Sequence, residues 1–103
     1  MIDLYTWTTP NGRKASILLE ELGVPYTVYA IDITKDEQFA PDFLKIAPNN
    51  RIPAIVDHET GIQLFETGAI MLYLADKQKQ FQCEGDEYWH MMEWLMWQMG
   101  GLG

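Results

Sequence analysis

A proline set just ahead of a short apolar strand constrains this chain more than any other feature. Residues 48–76 read Pro-Asn-Asn-Arg-Ile-Pro-Ala-Ile-Val-Asp, a turn through Gly61, then Leu-Phe-Glu-Thr-Gly-Ala-Ile-Met-Leu-Tyr-Leu-Ala-Asp. Pro53 has no N–H to give a sheet ladder, so it marks a strand boundary or an edge. Ala54–Asp57 and Ile62–Phe65 read as strands joined across His58-Glu59-Thr60-Gly61, hence antiparallel. Thr67–Lys77 reads as a helix with Ile70, Tyr73 and Leu74 inward.

The first half supplies a second unit. Ile2–Thr6 reads as a strand, and Thr8-Thr9-Pro10-Asn11-Gly12 as a turn cluster. In the helix that follows, Ala15, Leu18, Leu19 and Leu22 fall on one face of a 3.6-residue period. Gly23 sits where a left-handed stop is expected, with Pro25 just beyond. Tyr26–Asp32 reads as a return strand, with Val28, Ala30 and Tyr26 on one side. A strand, helix and strand in this order form a right-handed parallel βαβ unit. Thr34–Ala40 reads as loop, and Pro41 opens a short helix through Ala47. The sum is βαβ, α, ββα: an α/β fold of thioredoxin-like type, with a four-stranded mixed sheet. The expected domain spans residues 1–80.

Residues 81–103 read differently, as a linker and one helix. From Tyr88 to Met99 only His90, Glu93 and Gln98 are polar. A helix apolar nearly all round is normally buried. It is therefore expected to be the first helix of a further all-α domain, cut off after Gly103. Within the chain as given, the 86–99 helix is expected to lie in a homo-oligomer interface.

Composition narrows the function classes. Seven basic and fifteen acidic residues give a net charge of −8. Such a field repels nucleic acid and anionic membranes, so neither is an expected partner. No apolar run approaches the roughly 18 residues that span a bilayer. Met1-Ile2-Asp3 lacks the basic start of a signal peptide, and a cytoplasmic location is expected. Cys83 stands alone, so no disulfide or Cys-x-x-Cys motif forms within these residues. His58 and His90 are not spaced as metal ligands, and no glycine-rich phosphate loop is present. Neither a metal nor a nucleotide is expected.

The candidate site follows from the loop and helix starts. A backbone edge beside Ile52-Pro53 can bond an extended peptide. The Glu66 carboxylate can take an amine, and the N–H groups that begin at Thr67 can take a carboxylate. Thr9 and Asn11, at the start of the first helix, carry uncharged donors. Each residue also has a plainer reading. Thr9 and Asn11 suit a turn and an N-cap, and Pro53 suits an edge strand. Glu66 suits a dipole-favoured cap, and Arg51 a solvated surface.

These residues carry a resemblance. Thr9-Pro10-Asn11-Gly12-Arg13-Lys14, Leu19-Glu20-Glu21-Leu22-Gly23-Val24-Pro25-Tyr26, Phe43 through Asp57, and Leu64-Phe65-Glu66-Thr67-Gly68-Ala69-Ile70 resemble the N-terminal domain of cytosolic glutathione transferases. Asn11 after Thr9-Pro10, with Trp97-Gln98-Met99-Gly100-Gly101-Leu102-Gly103, is most similar to the bacterial nu class, whose members resemble glutathione-dependent disulfide reductases. A fungal nitrogen-regulator branch shares the Thr-Pro-Asn-Gly signature. The resemblance implies glutathione, reduced or as its disulfide, as co-substrate. It implies that Thr9 and Asn11 act on the sulfur, with Tyr5 a weaker rival. Ile52 and a cis Pro53 would hold the cysteinyl unit, and Glu66 and Thr67 the γ-glutamyl end. Gln38, by its family position, and Arg51, by its chemistry as a bidentate anion partner, are candidates for the glycine carboxylate. Little activity is expected of the 103 residues alone. The alternatives are a glutathione-fold module without turnover and a dimeric fragment without ligand.

Overall fold

A computed structural model of the chain describes residues 1–79 and 84–97. Strand β1 (Ile2–Thr6) leads to helix α1 (Pro10–Leu22) and strand β2 (Tyr26–Ala30). Two single-turn 3₁₀ segments, Ile33–Lys35 and Glu37–Phe39, precede the short helix α2 (Pro41–Leu44). Strands β3 (Ala54–Asp57) and β4 (Ile62–Phe65) and helix α3 (Thr67–Gln78) follow, then helix α4 (Asp86–Trp97).

The sheet order is β2-β1-β3-β4, with β1 and β2 parallel and the other pairs antiparallel. This is the thioredoxin-like arrangement expected from the sequence. Two rows of paired residues mark its ends. Tyr29, Tyr5, Ala54 and Phe65 form one, and Ile2, Asp57 and Ile62 belong to the other.

Strand pleating sends alternate residues to opposite faces. Ile2, Leu4 and Ile55 meet Ala15, Leu19 and Leu22 of α1 and Ile70 and Leu74 of α3 in one core. Ala54 meets Phe43 and Ala47 in a smaller core on the other face, with Tyr5, Ile46, Ile52 and Phe65 packed around it. Gly23 ends α1 at φ 68°, and its N–H and that of Val24 bond back to the last turn. That is the left-handed stop its position implied.

The differences from expectation are local. Strand β2 stops at Ala30 rather than Asp32, because the Asp32 side chain accepts from Thr34 N–H and starts a 3₁₀ turn. The stretch expected as loop thus holds two helical turns. Helix α2 ends at Leu44, not Ala47. Pro48 disfavours helical backbone at the residue before it. Val28 is 55% exposed because β2 is an edge strand with little packed over it. No residue of α4 is buried, and Trp89, Trp94 and Trp97 are each more than half exposed. Cys83, Gln98, Met99 and the final glycine-rich residues lie outside the described residues. Among the described residues, no helix is long and apolar enough to cross a membrane.

Candidate functional site

Three chain segments meet at one end of the sheet. Antiparallel pairing puts the end of β1 beside the start of β3, and the start of β3 beside the end of β4. The loop into α1, the Asn49–Pro53 segment and the start of α3 therefore converge. Two adjoining cavities lie there. One, of about 120 Å³, is lined by Asn11, Asn49, Arg51, Ile52, Pro53, Glu66 and Thr67. The other, of about 350 Å³, shares Asn11, Arg51 and Ile52 and adds Thr9, Ile33, Gln38 and Asn50. Thr9, Asn11, Gln38, Arg51, Ile52, Pro53, Glu66 and Thr67, the residues nominated to hold glutathione, each line one cavity or both. Tyr5 lines neither. It stacks on Tyr29 with ring centroids 5.0 Å apart, and its pKa is raised, chiefly by burial and then by the Asp3 charge.

The start of α1 caps the helix and leaves a hydroxyl proton to donate. Thr9 is the N-cap, and its Oγ1 accepts from Gly12 N–H at 3.1 Å. A hydroxyl that accepts keeps its own proton to give. The capping and sulfur-side readings of Thr9 are thus compatible. Gly12 is buried because the chain folds tightly there. A Cβ would collide with the Trp7 carbonyl and Thr6 Oγ1. Asn11 follows the cap and Pro10, half-buried, and its Oδ1 accepts from Lys14 Nζ at 2.8 Å.

The start of α3 has an unusual backbone. Glu66 takes φ 76° and ψ 118°, a region that residues with a Cβ seldom occupy. Such a conformation costs on the order of 1–3 kcal/mol and tends to persist at ligand sites. Its carboxylate makes no cap hydrogen bond to α3. Glu66 is thus the N-cap residue without a side-chain cap bond, which leaves the dipole-favoured reading standing. The carboxylate stays at the exposed rim and bonds none of the helix N–H groups from Thr67 onward. Thr67 itself is 5% exposed.

The loop before β3 completes the wall. The Ile52–Pro53 peptide bond is cis. Asn50, at φ 51°, turns the chain before it. Two buried acceptors here, Gln38 Oε1 and Asn49 Oδ1, have no hydrogen-bond partner among the described residues. An unsatisfied buried acceptor costs roughly 1–3 kcal/mol. Asn49 was not foreseen. The pair Asn49-Asn50 reads as turn chemistry, and only Asn50 serves the turn by its positive φ. Lys14 was also missed, although its i, i+3 spacing from Asn11 on a helix signals a contact. His58 bonds Asp3 at 2.7 Å and His90 bonds Glu93 at 2.7 Å, both at exposed positions.

Comparison with known proteins agrees with this fold. The N-terminal domain of glutathione S-transferases matches residues 1–76. The disulfide-bond oxidoreductase YfcG of Escherichia coli is 50% identical over 109 residues, covering 100% of this chain and 51% of that protein. A glutathione transferase family member from Pseudomonas fluorescens, solved with two glutathione bound, superposes with a TM-score of 0.93 at 46% identity, covering 99% of this chain and 47% of that one. A glutathione transferase from Pseudomonas putida, solved with one glutathione disulfide per subunit, has a TM-score of 0.93 at 42% identity, covering 99% and 46%. The chain thus spans about half the length of these relatives. Through its N-terminal domain, the chain belongs to the glutathione S-transferase family.

Proposed function

We propose that this domain binds glutathione and holds its sulfur as a thiolate for the reduction of disulfides. The observation that carries the reading is the convergence of Asn11, the cis Ile52–Pro53 segment and the Glu66-Thr67 helix start on one small polar cavity. The γ-glutamyl ammonium pairs with Glu66, and its carboxylate takes the N-terminal N–H groups of α3. The cysteinyl backbone runs along Ile52. Arg51 and Gln38 face the glycine carboxylate from the larger cavity, and a charged guanidinium suits that role.

The sulfur then lies near the start of α1. A free thiol has a pKa of roughly 8.5 and is mostly protonated at neutral pH. Donors from Thr9 and Asn11, with the positive end of the helix, stabilise the thiolate. The thiolate attacks a disulfide sulfur, the new S–S bond forms, and the other sulfur leaves as thiolate. A second glutathione resolves the mixed disulfide, giving glutathione disulfide and the reduced product. The two-electron balance closes on two glutathione molecules, with no protein cysteine needed. The bound glutathione disulfide in the Pseudomonas putida relative supports this direction. A second reading, transfer of the thiolate to an electrophile, is favoured by the transferase relatives.

Calorimetric titration of the 103-residue chain with glutathione and with its disulfide tests the proposal. Saturable binding is expected, with the disulfide at least as tight. No binding of either form by the folded chain rejects it. Asn11→Ala is expected to raise the bound thiol pKa while keeping most of the affinity, and an unchanged pKa removes Asn11 from the sulfur side. The exposed tryptophans of α4 support a homo-oligomer interface on that helix. Light scattering that finds a monomer at high concentration rejects that part.

A further inference from the structure

Two charged residues at the start of α1, Arg13 and Lys14, are not yet used by the proposed chemistry, and of these Arg13 is exposed while Lys14 is half-buried. Lys14 Nζ reaches Asn11 Oδ1 at 2.8 Å, with both side chains half-buried. An ammonium donates and cannot accept. The amide atom that faces it must therefore be the carbonyl oxygen, and the contact selects one of two nearly isosteric amide orientations. Asn11 lines both cavities. With Oδ1 held by Lys14, the donor end of the carboxamide is the part left for a ligand.

A second observation points the same way. Helix stability favours acids in the first turn and basic residues in the last. Helix α1 has no acid in its first turn and no base in its last, while Arg13 and Lys14 follow directly after Asn11 and Gly12. Helix α4 has the ordinary arrangement, with Asp86 and Glu87 in its first turn. The start of α1 thus forgoes a stabilising charge and gathers positive potential where an anion would sit.

We propose that Lys14 is a positioning residue for the glutathione thiolate: it locks the Asn11 carboxamide with its N–H end toward the sulfur and polarises that donor. A charge-assisted hydrogen bond to the carbonyl strengthens the amide N–H on the far side. The inference rests on the proposed glutathione reading. Its chemistry is distinct, because it concerns how the donor is aimed rather than which group donates. Lys14 lines neither cavity and acts through Asn11; the ionisable side chains that do line them are Arg51, from the loop before β3, and Glu66, at the start of α3. Both stay in place when Lys14 is changed, so their influence is common to every variant.

The test is the pKa of the bound thiol, read from thiolate absorbance across a pH series at saturating glutathione. Affinity for S-methylglutathione, which has no ionisable thiol, is measured in parallel. Lys14→Met is expected to raise the bound thiol pKa by about one pH unit. Affinity for the S-methyl peptide should stay within about twofold. Lys14→Arg, which also only donates, should restore most of the lowered pKa. A Lys14→Met chain that keeps the parent thiol pKa overturns the inference while the glutathione reading stands. Loss of S-methylglutathione affinity in step with the pKa change also overturns it, because Lys14 would then shape the whole pocket. A parent chain that binds neither peptide overturns both readings together. Circular dichroism of Lys14→Met and Lys14→Arg establishes that folded chains are being compared.

Discussion

The two ends of the same sheet handle buried polarity in opposite ways. At the Ile2–Asp57–Ile62 end, Asp57 is fully buried, yet its carboxylate is bonded by Tyr73 Oη, by Lys77 Nζ at 2.6 Å and by Glu59 N–H at 3.0 Å. Lys77 also bonds Glu59 at 2.6 Å, which ties the β3–β4 turn to α3. Burial alone would raise the Asp57 pKa, but these partners outweigh it and bring the pKa down to about 2. At the Tyr5–Ala54–Phe65 end, Gln38 and Asn49 keep buried acceptors unpaired, and Glu66 holds a backbone conformation of its own cost. Both ends carry charge and amide groups, so polarity alone does not mark a site. Satisfaction differs: the closed network is paired within the fold, while the open end leaves acceptors unpaired among the described residues, beside the proposed glutathione cavity.

The contrast can be broken first at its closed end. Asp57→Ala removes a buried acceptor shared by Tyr73 and Lys77, which keep Thr60 and Glu59 as partners, and is expected to cost about 2–4 kcal/mol of stability. Denaturant unfolding measures it. A loss below about 1 kcal/mol would mean that the cluster contributes little. At the open end, Glu66→Ala should leave stability within about 0.5 kcal/mol. Its expected cost is affinity for glutathione, about 2–3 kcal/mol by calorimetry. The reverse pattern would erase the distinction between the two ends.

Acid sharpens the comparison further. The Asp57 pKa lies below its ordinary 3.8 when folded, so the unfolded chain binds more protons between the two values. The stabilisation is present above pH 3.8 and is lost as pH falls toward 2, on the order of 2 kcal/mol. Unfolding midpoints measured from pH 5 to pH 2 should fall in the parent and flatten in Asp57→Asn. The smallest effect should run the other way. Glu66→Gly relieves the φ 76° backbone and is expected to stabilise the chain by up to about 1 kcal/mol while removing the ammonium partner. A melting temperature that rises as affinity falls is the signature.

Legibility in the sequence follows the same divide. The helical face of Ala15, Leu19 and Leu22, the Gly23 stop and the Gly61 turn are local patterns, and they place the sheet and its main core. The site residues were legible because loop and helix-start chemistry is also local: Thr9 before Pro10, Pro53 before a strand, Glu66 before a helix. Their roles needed the resemblance, since each has a plain structural reading. What sequence left hidden was pairwise and distant. Asp57 meets Tyr73 and Lys77 across a hairpin and a helix, although the i, i+4 spacing of those two already put them on one face. Asn49 looks like its neighbour until the structure gives Asn50 the positive φ and leaves Asn49 Oδ1 without a partner among the described residues. The exposed surface of α4 is a statement about packing that periodicity cannot make.

The register of β1 against β3 has a consequence for how this chain can change length. Tyr5 opposite Ala54 fixes where the loop into α1 leaves the sheet relative to Pro53. Each residue added along β1 moves that exit by about 3.4 Å, and two would carry Asn11 about 7 Å past the loop with which it lines a cavity. The His58–Gly61 turn lies at the far end, where added residues would shift nothing at the cavities. The two ends of the sheet thus differ in what an insertion disturbs: in the turn it loosens the Glu59–Lys77 tie, while along the run from Ile2 to Asn11 it offsets the cavity-lining loops from one another.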